Sequence, residues 1–235
     1  MTHSKVVLRA TDLADVGLFS GLSVTALEAI IGCSQVRRFS RGQVALEQGT
    51  RSGEVHVVIS GAFKACTVTE GGSAVTLALI GRKEVFGEMA FLDGGAHSVN
   101  VTALATSYTQ CIGTAALDAI VEAHPSVRNY LARLLAARLR RLSSVSERMV
   151  AEDVSARLAR QLLDLSERFG VADSGGTRIM LDLPQQELAE LVGATRERVN
   201  RVLVSWTKQG LIAREGKQVI LLSRPDLSRC AGLSP

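Results

Sequence analysis

Four polar side chains between residues 196 and 201 have the types and the spacing needed to read base edges in DNA. Arg196, Glu197, Asn200 and Arg201 lie at positions i, i+1, i+4 and i+5 and therefore share one face of a helix. Arginine matches the N7/O6 edge of guanine with two hydrogen bonds, and glutamate accepts one from the amino group of cytosine. A solvated face with intrahelical ion pairs is the alternative interpretation.

The residues around this face predict a helix-turn-helix, which favours base contact over a solvated face. Two segments with helical periodicity, 184–192 and 196–206, meet at Gly193, where a tight turn needs a residue that tolerates positive φ. Ala189 is small where the helices cross, and Thr195 is a suitable N-cap for the second helix. The predicted buried face of the second helix consists of Val199, Val202, Leu203 and Trp206.

A β-hairpin follows the second helix. Apolar runs at 211–213 and 219–222 flank a turn at 214–217, so the sequence predicts a winged helix-turn-helix. Arg214 and Lys217 at the tip of the wing are candidate phosphate contacts. The full set of predicted DNA contacts is Gln185, Gln186, Thr195, Arg196, Glu197, Asn200, Arg201, Arg214 and Lys217.

The distribution of charge agrees with a polyanionic partner. Residues 1–125 hold 9 Lys and Arg against 11 Asp and Glu, whereas residues 126–235 hold 18 against 12. A basic second half indicates a surface that binds a polyanion such as double-stranded DNA. Aromatic residues make up only 4% of the chain, which argues against a protein that stacks many bases or sugars on exposed rings.

A long helix precedes the DNA-binding module. Helical spacing runs from Pro125 to about Val150, and apolar residues recur at steps of four, seven, three and four, with Arg138 in the skipped position of a heptad seam. We expect this helix to pair with its copy in a homodimer; packing on its own domain alone is the alternative. The predicted seam consists of Leu131, Leu135, Leu142, Val145 and Met149.

A further helix connects the long helix to the helix-turn-helix. Asp153 can cap a helix over 154–169, and Gly170 ends it. A turn over 171–178 and a short strand over 179–183 are expected to follow.

The first half of the chain predicts a β-roll. Glycines recur at intervals of roughly ten residues or fewer between residues 42 and 95, and β-branched runs such as 55–60 and 74–80 lie between them. In the segment 84–95, Gly87 allows close approach of a ligand to the backbone, and Glu88 could accept hydrogen bonds from ribose hydroxyls. The residue chemistry alone favours the simpler alternative, a strand–turn–strand with a solvated glutamate.

The sequence therefore predicts an α+β protein in three parts. Residues 1–123 form an effector-sensing β-roll (jelly roll), 124–151 a dimerisation helix and hinge, and 152–235 a winged helix-turn-helix. The histidines are scattered, no cysteine lies in a C-x-x-C pair, and there is no phosphate-binding loop or nucleophile motif, so we expect neither an enzyme nor a metal site. The first residues contain no apolar segment of signal-peptide length, and we expect a cytoplasmic protein without a membrane partner.

From about residue 15 to 222, this layout resembles the Crp/Fnr family of bacterial transcription regulators, of the cyclic-AMP receptor protein type. The segment 192–201 resembles the family's recognition helix, and 41–49, 57–61 and 86–88 resemble its β-roll. The resemblance implies a cyclic-nucleotide-binding β-roll, a dimerising helix and a winged helix-turn-helix. It also implies that a TGTGA-like palindrome is read by Arg196, Glu197 and Arg201.

The resemblance further implies an effector site, whose positions here are Gly87, Glu88, Met89, His97, Ser98, Leu142 and Ser143. Cyclic-AMP receptors carry arginine where this chain has His97 and threonine where it has Leu142. A neutral imidazole lacks the fixed pair of guanidinium donors, and leucine cannot hydrogen-bond a base.

We therefore expect an effector other than cyclic AMP, such as a cyclic dinucleotide, or regulation without a ligand. The alternatives are a regulator that depends on cyclic AMP and a β-roll protein that binds a small molecule but not DNA. If the protein is an activator, RNA polymerase is a further partner.

Overall fold

The computed structural model describes residues 9–68 and 74–233, and side chains over 9–67, 75–145 and 152–233. Two compact units are present: residues 1–67 with 78–140, and residues 68–77 with 141–235. The division into three parts at 123 and 151 stays a prediction. No helix in the described part of the chain is long and apolar enough to cross a membrane.

Two four-stranded sheets form the predicted β-roll. Their strand orders are β1-β8-β3-β6 and β2-β7-β4-β5, and the pairs of β8 with β1 and β3, and of β7 with β2 and β4, are antiparallel. The strands are β1 (Ser34–Phe39), β2 (Val44–Leu46), β3 (Glu54–Ser60), β4 (Phe63–Val68), β5 (Ala74–Ile80), β6 (Val85–Phe86), β7 (Asn100–Ala103) and β8 (Ser107–Gly113).

Side chains of β3 alternate between two hydrophobic cores. Val55 and Val57 pack in a core shared with the helices, together with Ile112 of β8. Val58 packs in a second core with Phe63 and Phe86, on the opposite face of the same sheet. This alternation also places His56 and Cys111, which are directly opposite each other in the ladder, on the face of the second core.

The residues described up to 151 form the α-helices α1 (Ala10–Ala14), α2 (Val24–Gly32), α3 (Glu88–Asp93), α4 (Thr114–Ala123) and α5 (Pro125–Ala151). The Ser23 hydroxyl accepts a hydrogen bond from the Ala26 amide and caps the start of α2. The long helix α5 has the predicted extent. The segment after Gly87 is helical, which corrects the strand–turn–strand expected there.

The second unit contains a further sheet and the remaining helices. Asp153 caps α6 through a 2.7 Å hydrogen bond from the Ala156 amide, as predicted. The elements are α6 (Val154–Phe169), β9 (Gly170–Asp173), β10 (Gly176–Ile179), α7 (Gln185–Val192), α8 (Arg196–Lys208), β11 (Ile212–Glu215), β12 (Gln218–Leu221) and α9 (Arg224–Cys230), and the sheet order is β11-β12-β10-β9.

The segment between α6 and α7 differs from the prediction. A hairpin of β9 and β10 occupies 170–179, whereas the sequence predicts a strand only over 179–183. Leu181 and Leu183 are buried although they lie outside the strands. An irregular segment with alternating buried and exposed residues has the same sequence pattern as a strand. Periodicity alone therefore does not distinguish the two.

Candidate DNA-binding and effector sites

The turn between α7 and α8 has the geometry predicted for a helix-turn-helix. Gly193 ends α7 with φ of 60°, a conformation that favours glycine. The amide of Ala194 donates to the carbonyl of Ala189 over 3.0 Å. Arg157 of α6 donates through Nε to the carbonyl of Val192 over 2.8 Å, which satisfies an acceptor at the end of the helix.

The two faces of α8 separate apolar from charged side chains. Val199, Leu203 and Trp206 are buried, so their predicted core role is confirmed. The four polar side chains of the opposite face, Arg196, Glu197, Asn200 and Arg201, are all exposed. Because these side chains are exposed, the charged face is accessible to a partner.

The start of α8 is fixed by its cap. The Thr195 hydroxyl accepts a 3.3 Å hydrogen bond from the Arg198 amide. The backbone N–H of Glu197 and the Thr195 side chain hold the pKa of the Glu197 carboxyl below its usual range. Glu197 is therefore ionised at neutral pH and can only accept hydrogen bonds, as pairing with a cytosine amino group requires.

The other predicted DNA contacts lie on α7 and on the wing. Gln185 donates through Nε2 to Asn200 Oδ1 over 2.7 Å, so the first helix orients a side chain of the second. Gln186 donates instead to Glu190 within its own helix. Lys217 is exposed in the turn between β11 and β12, and Arg214 is half-buried. The hairpin itself is present as predicted.

An ion pair between the buried Glu88 and the half-buried Arg138 occupies the predicted effector region of the β-roll. Glu88 has no exposed surface, which corrects the solvated glutamate favoured by residue chemistry alone. Arg138 of α5 binds Glu88 Oε1 through Nη1 and the carbonyl of Val85 through Nη2, the latter over 2.5 Å. Glu88 Oε2 has no hydrogen-bond partner among the described residues. Burial raises the pKa of the Glu88 carboxyl, and Arg138 opposes that shift.

Arg138 is a residue of this region that the sequence interpretation misses. The heptad pattern treats it only as an interruption of the seam. An arginine on the face of a helix that is otherwise apolar is a signal for a buried acidic partner, because an unpaired guanidinium is costly to bury. The identity of that partner depends on the tertiary fold.

Gly87 places Glu88 at the start of α3. Its φ is 87°, and a Cβ at this position would lie 2.6 Å from the backbone oxygen of Glu54. We expect Gly87→Ala to lower the free energy of unfolding by about 1–3 kcal/mol, measured by urea denaturation, because the substitution adds both a strained φ and a clash with rigid backbone.

Gly42→Ala is the matched control for this substitution. Gly42 has φ of 80°, but its Cβ would meet no atom of the described chain within 4 Å. It therefore adds the strained φ without the clash. Equal losses for the two variants would contradict the role of Gly87 as a close-approach position.

The second predicted effector segment contains His97 and Ser98. His97 is buried, and its Nε2 lies 2.6 Å from the Ser52 hydroxyl. Burial lowers the pKa of His97, so the ring is neutral at neutral pH. The Ser98 hydroxyl is 3.8 Å from the Met89 sulfur, and both residues are exposed. The two segments thus meet through Met89 and Ser98, whereas Glu88 and His97 have separate partners.

One exposed strip of α5 is apolar, beside exposed arginines such as Arg140 and Arg141. The exposed fractions of Leu139 and Leu142 are 67% and 47%, and Leu135 and Val145 are half-buried. Leu131 requires a correction, because its side chain is fully buried in the core of its own chain and has no surface for a partner. Ser143, predicted for the effector site, is exposed on the same helix. The side chain of Met149 lies outside the described residues.

Comparison with known proteins places these features in a family. Residues 36–124 match the cyclic nucleotide-binding domain family, and residues 156–230 match the Crp-like helix-turn-helix domain family. A CRP-like cAMP-activated global transcriptional regulator from Mycobacterium tuberculosis is 33% identical over 93% of this chain and 98% of its own length. The chain belongs to the CRP/FNR family of transcription regulators.

Solved structures of CRP/FNR proteins have the same fold. A CRP-family transcriptional regulator from Thermus thermophilus has a TM-score of 0.73 at 25% identity, covering 84% of this chain and 97% of its own. The c-di-GMP-responsive global regulator CLP of Xanthomonas campestris has a TM-score of 0.74 at 25% identity, covering 86% and 100%. Family members are transcription regulators and not enzymes, so this chain is a DNA-binding transcription regulator.

Proposed function

We propose that the protein is a homodimeric regulator that reads a TGTGA-like palindrome with Arg196, Glu197 and Arg201 of each α8. The observation that carries this proposal is the exposed, charged face of a capped helix whose opposite face is buried. Two such helices related by a twofold axis would reach half-sites about 34 Å apart, one turn of B-DNA. Fluorescence anisotropy on a TGTGA palindrome, on a single half-site and on a scrambled duplex tests it. Equal affinity of the protein for all three duplexes would overturn the proposal that it reads the palindrome specifically.

The apolar surface of α5 is proposed as the dimer interface. Leu135, Leu139 and Leu142 lie at steps of four and three, the spacing of a helix–helix seam. Large apolar side chains with exposures of 47% and 67% lose unfavourable contact with water when a second copy covers them. Dimerisation also explains a palindromic target, because each copy presents one α8. RNA polymerase is a further proposed partner if the bound protein activates transcription.

The effector is proposed to be a ligand other than cyclic AMP, such as a cyclic dinucleotide. His97 is neutral and already bonded to Ser52, so it supplies no permanent positive charge to a cyclic phosphate. Charge-assisted hydrogen bonds contribute roughly 1.5–3 kcal/mol each. Regulation by cyclic AMP is the second candidate, and the similarity to the cAMP-activated regulator of M. tuberculosis favours it. Regulation without a ligand is the third candidate.

Calorimetry with cyclic AMP separates regulation by cyclic AMP from the other two candidates. Loss of about 4 kcal/mol of binding free energy weakens the affinity by about a thousandfold. If a site with arginine at position 97 binds cyclic AMP at micromolar strength, we expect this protein to bind it at roughly millimolar strength. His97→Arg should restore tighter binding by supplying two fixed donors, and His97→Gln, which adds no charge, should not. A low-micromolar dissociation constant for the unmutated protein near neutral pH would contradict the argument from His97.

A further inference from the structure

We propose that the β-roll contains a Zn²⁺ site formed by Glu54 and His56 of β3 and Cys111 of β8. Sheet pairing creates this cluster: His56 lies directly opposite Cys111, and Glu54 lies two residues earlier on the same face of β3. One ligand atom from each residue lies within 4.8 Å of the other two. This site is distinct from the Glu88–Arg138 pair and does not depend on the effector.

His56 is oriented like a metal ligand. It has no exposed surface, and its ring stacks on Phe86 with centroids 4.7 Å apart and an interplanar angle of 9°. Its Nδ1 lies 3.0 Å from the Thr109 hydroxyl. When Nδ1 donates to Thr109, Nε2 holds a lone pair, and this is how metal-binding histidines are commonly fixed. Nε2 has no hydrogen-bond partner in the described part of the chain, although a buried polar atom normally has one.

Glu54 and Cys111 each place a ligand atom within 4.8 Å of His56. Glu54 Oε2 is 3.8 Å from His56 Nε2. Ligand atoms around tetrahedral zinc are about 3.3–3.8 Å apart, given bonds of about 2.0–2.3 Å, so the widest pair in the cluster must contract by about 1–1.5 Å at most. Arg37 binds the same carboxylate, with Nη1 2.6 Å from Oε2. A carboxylate has about four acceptor positions and can serve a guanidinium and a metal together.

The donor set selects the kind of ion. A thiolate and an imidazole suit Zn²⁺, whereas Ca²⁺ and Mg²⁺ require oxygen ligands. On binding, Cys111 loses its thiol proton to solvent and the sulfur bonds the metal, with no change in oxidation state. Three protein ligands leave a fourth position for water.

Metal titration of the chelator-treated full-length protein tests the site. We expect one Zn²⁺ per chain in competition with a chromophoric chelator, and Co²⁺ in its place should give a thiolate-to-metal charge-transfer band. Cys111→Ser should remove that band. A missing band in the unmutated protein, or a band that survives in Cys111→Ser, would overturn the proposal, and surface binding of several ions per chain would show adventitious binding only.

Three further variants complete the test. Cys66→Ser removes another buried cysteine, on β4, and should leave binding unchanged. Thr109→Val keeps the volume of the side chain but removes the partner of Nδ1, so we expect about 10–100-fold weaker binding. Glu54→Gln removes a ligand charge at the half-buried edge of the metal site and should weaken Zn²⁺ binding. This variant still tests the site if Cys111→Ser does not fold. Unchanged affinity in both Thr109→Val and Glu54→Gln would contradict the assignment.

Discussion

Leu142→Asp is expected to convert the protein to monomers and to remove its specific binding to palindromic DNA. Leu142 is 47% exposed in the single chain and lies on the apolar surface of α5 that also carries Leu139. A second copy packed on this surface would bury the new carboxylate without a partner, which strongly disfavours the dimer. The affinity of two linked half-site contacts for DNA exceeds that of one contact by about 10²–10⁴-fold. We expect Leu142→Asp to lower the affinity for the palindrome by a factor in that range. Light scattering and fluorescence anisotropy measure the two effects.

Two controls separate assembly from folding. Ala137→Asp puts the same carboxylate at another exposed position of α5, five residues earlier and therefore on a different face, and should leave the dimer intact. Leu131→Ala should cost about 2–5 kcal/mol of stability without changing assembly, because Leu131 is buried within its own chain. An unmutated protein that is monomeric at micromolar concentration would refute the interface.

Local rules in the sequence were sufficient for most of the fold. Caps identified the helix starts at Asp153 and Thr195, because carboxylate and hydroxyl side chains satisfy backbone amides at those positions. Gly193 identified the turn of the helix-turn-helix through its positive φ. The hairpin at 170–179 was missed because its pairing with β12 depends on residues about forty positions further along the chain.

The sites were predicted less completely than the fold, because their chemistry depends on contacts between distant residues. Glu88 looks like a surface residue in sequence, and only the approach of Arg138, fifty positions later, explains how a carboxylate is buried there. Leu131 fits a heptad as well as Leu142 does, but the β-roll covers only the former. His56 and Cys111 have no metal-ligand spacing in sequence, and their proximity follows from the register of β3 with β8.

Arg196→Ala and Arg201→Ala are expected to weaken binding to the palindrome by about 1–3 kcal/mol each, and nearly additively if each arginine contacts its own base pair. Both side chains are exposed on α8, and neither supports the buried face formed by Val199 and Leu203. The helix should therefore remain folded. Loss of a bidentate pair with guanine should also relax specificity at one base position per half-site. Anisotropy titrations against duplexes substituted one base pair at a time measure both effects.

Arg198→Ala is the matched control for these two variants. This variant removes the same charge from the same helix. Arg198 is exposed, but its side chain lies on the flank of α8, away from the centre of the charged face. If Arg198 contacts only phosphate, its loss should weaken binding uniformly across all duplexes and reduce the salt dependence by about one unit of slope. A base-specific change for Arg198→Ala, together with a uniform loss for Arg196→Ala and Arg201→Ala, would mean that α8 enters the groove in a different rotation from the one proposed.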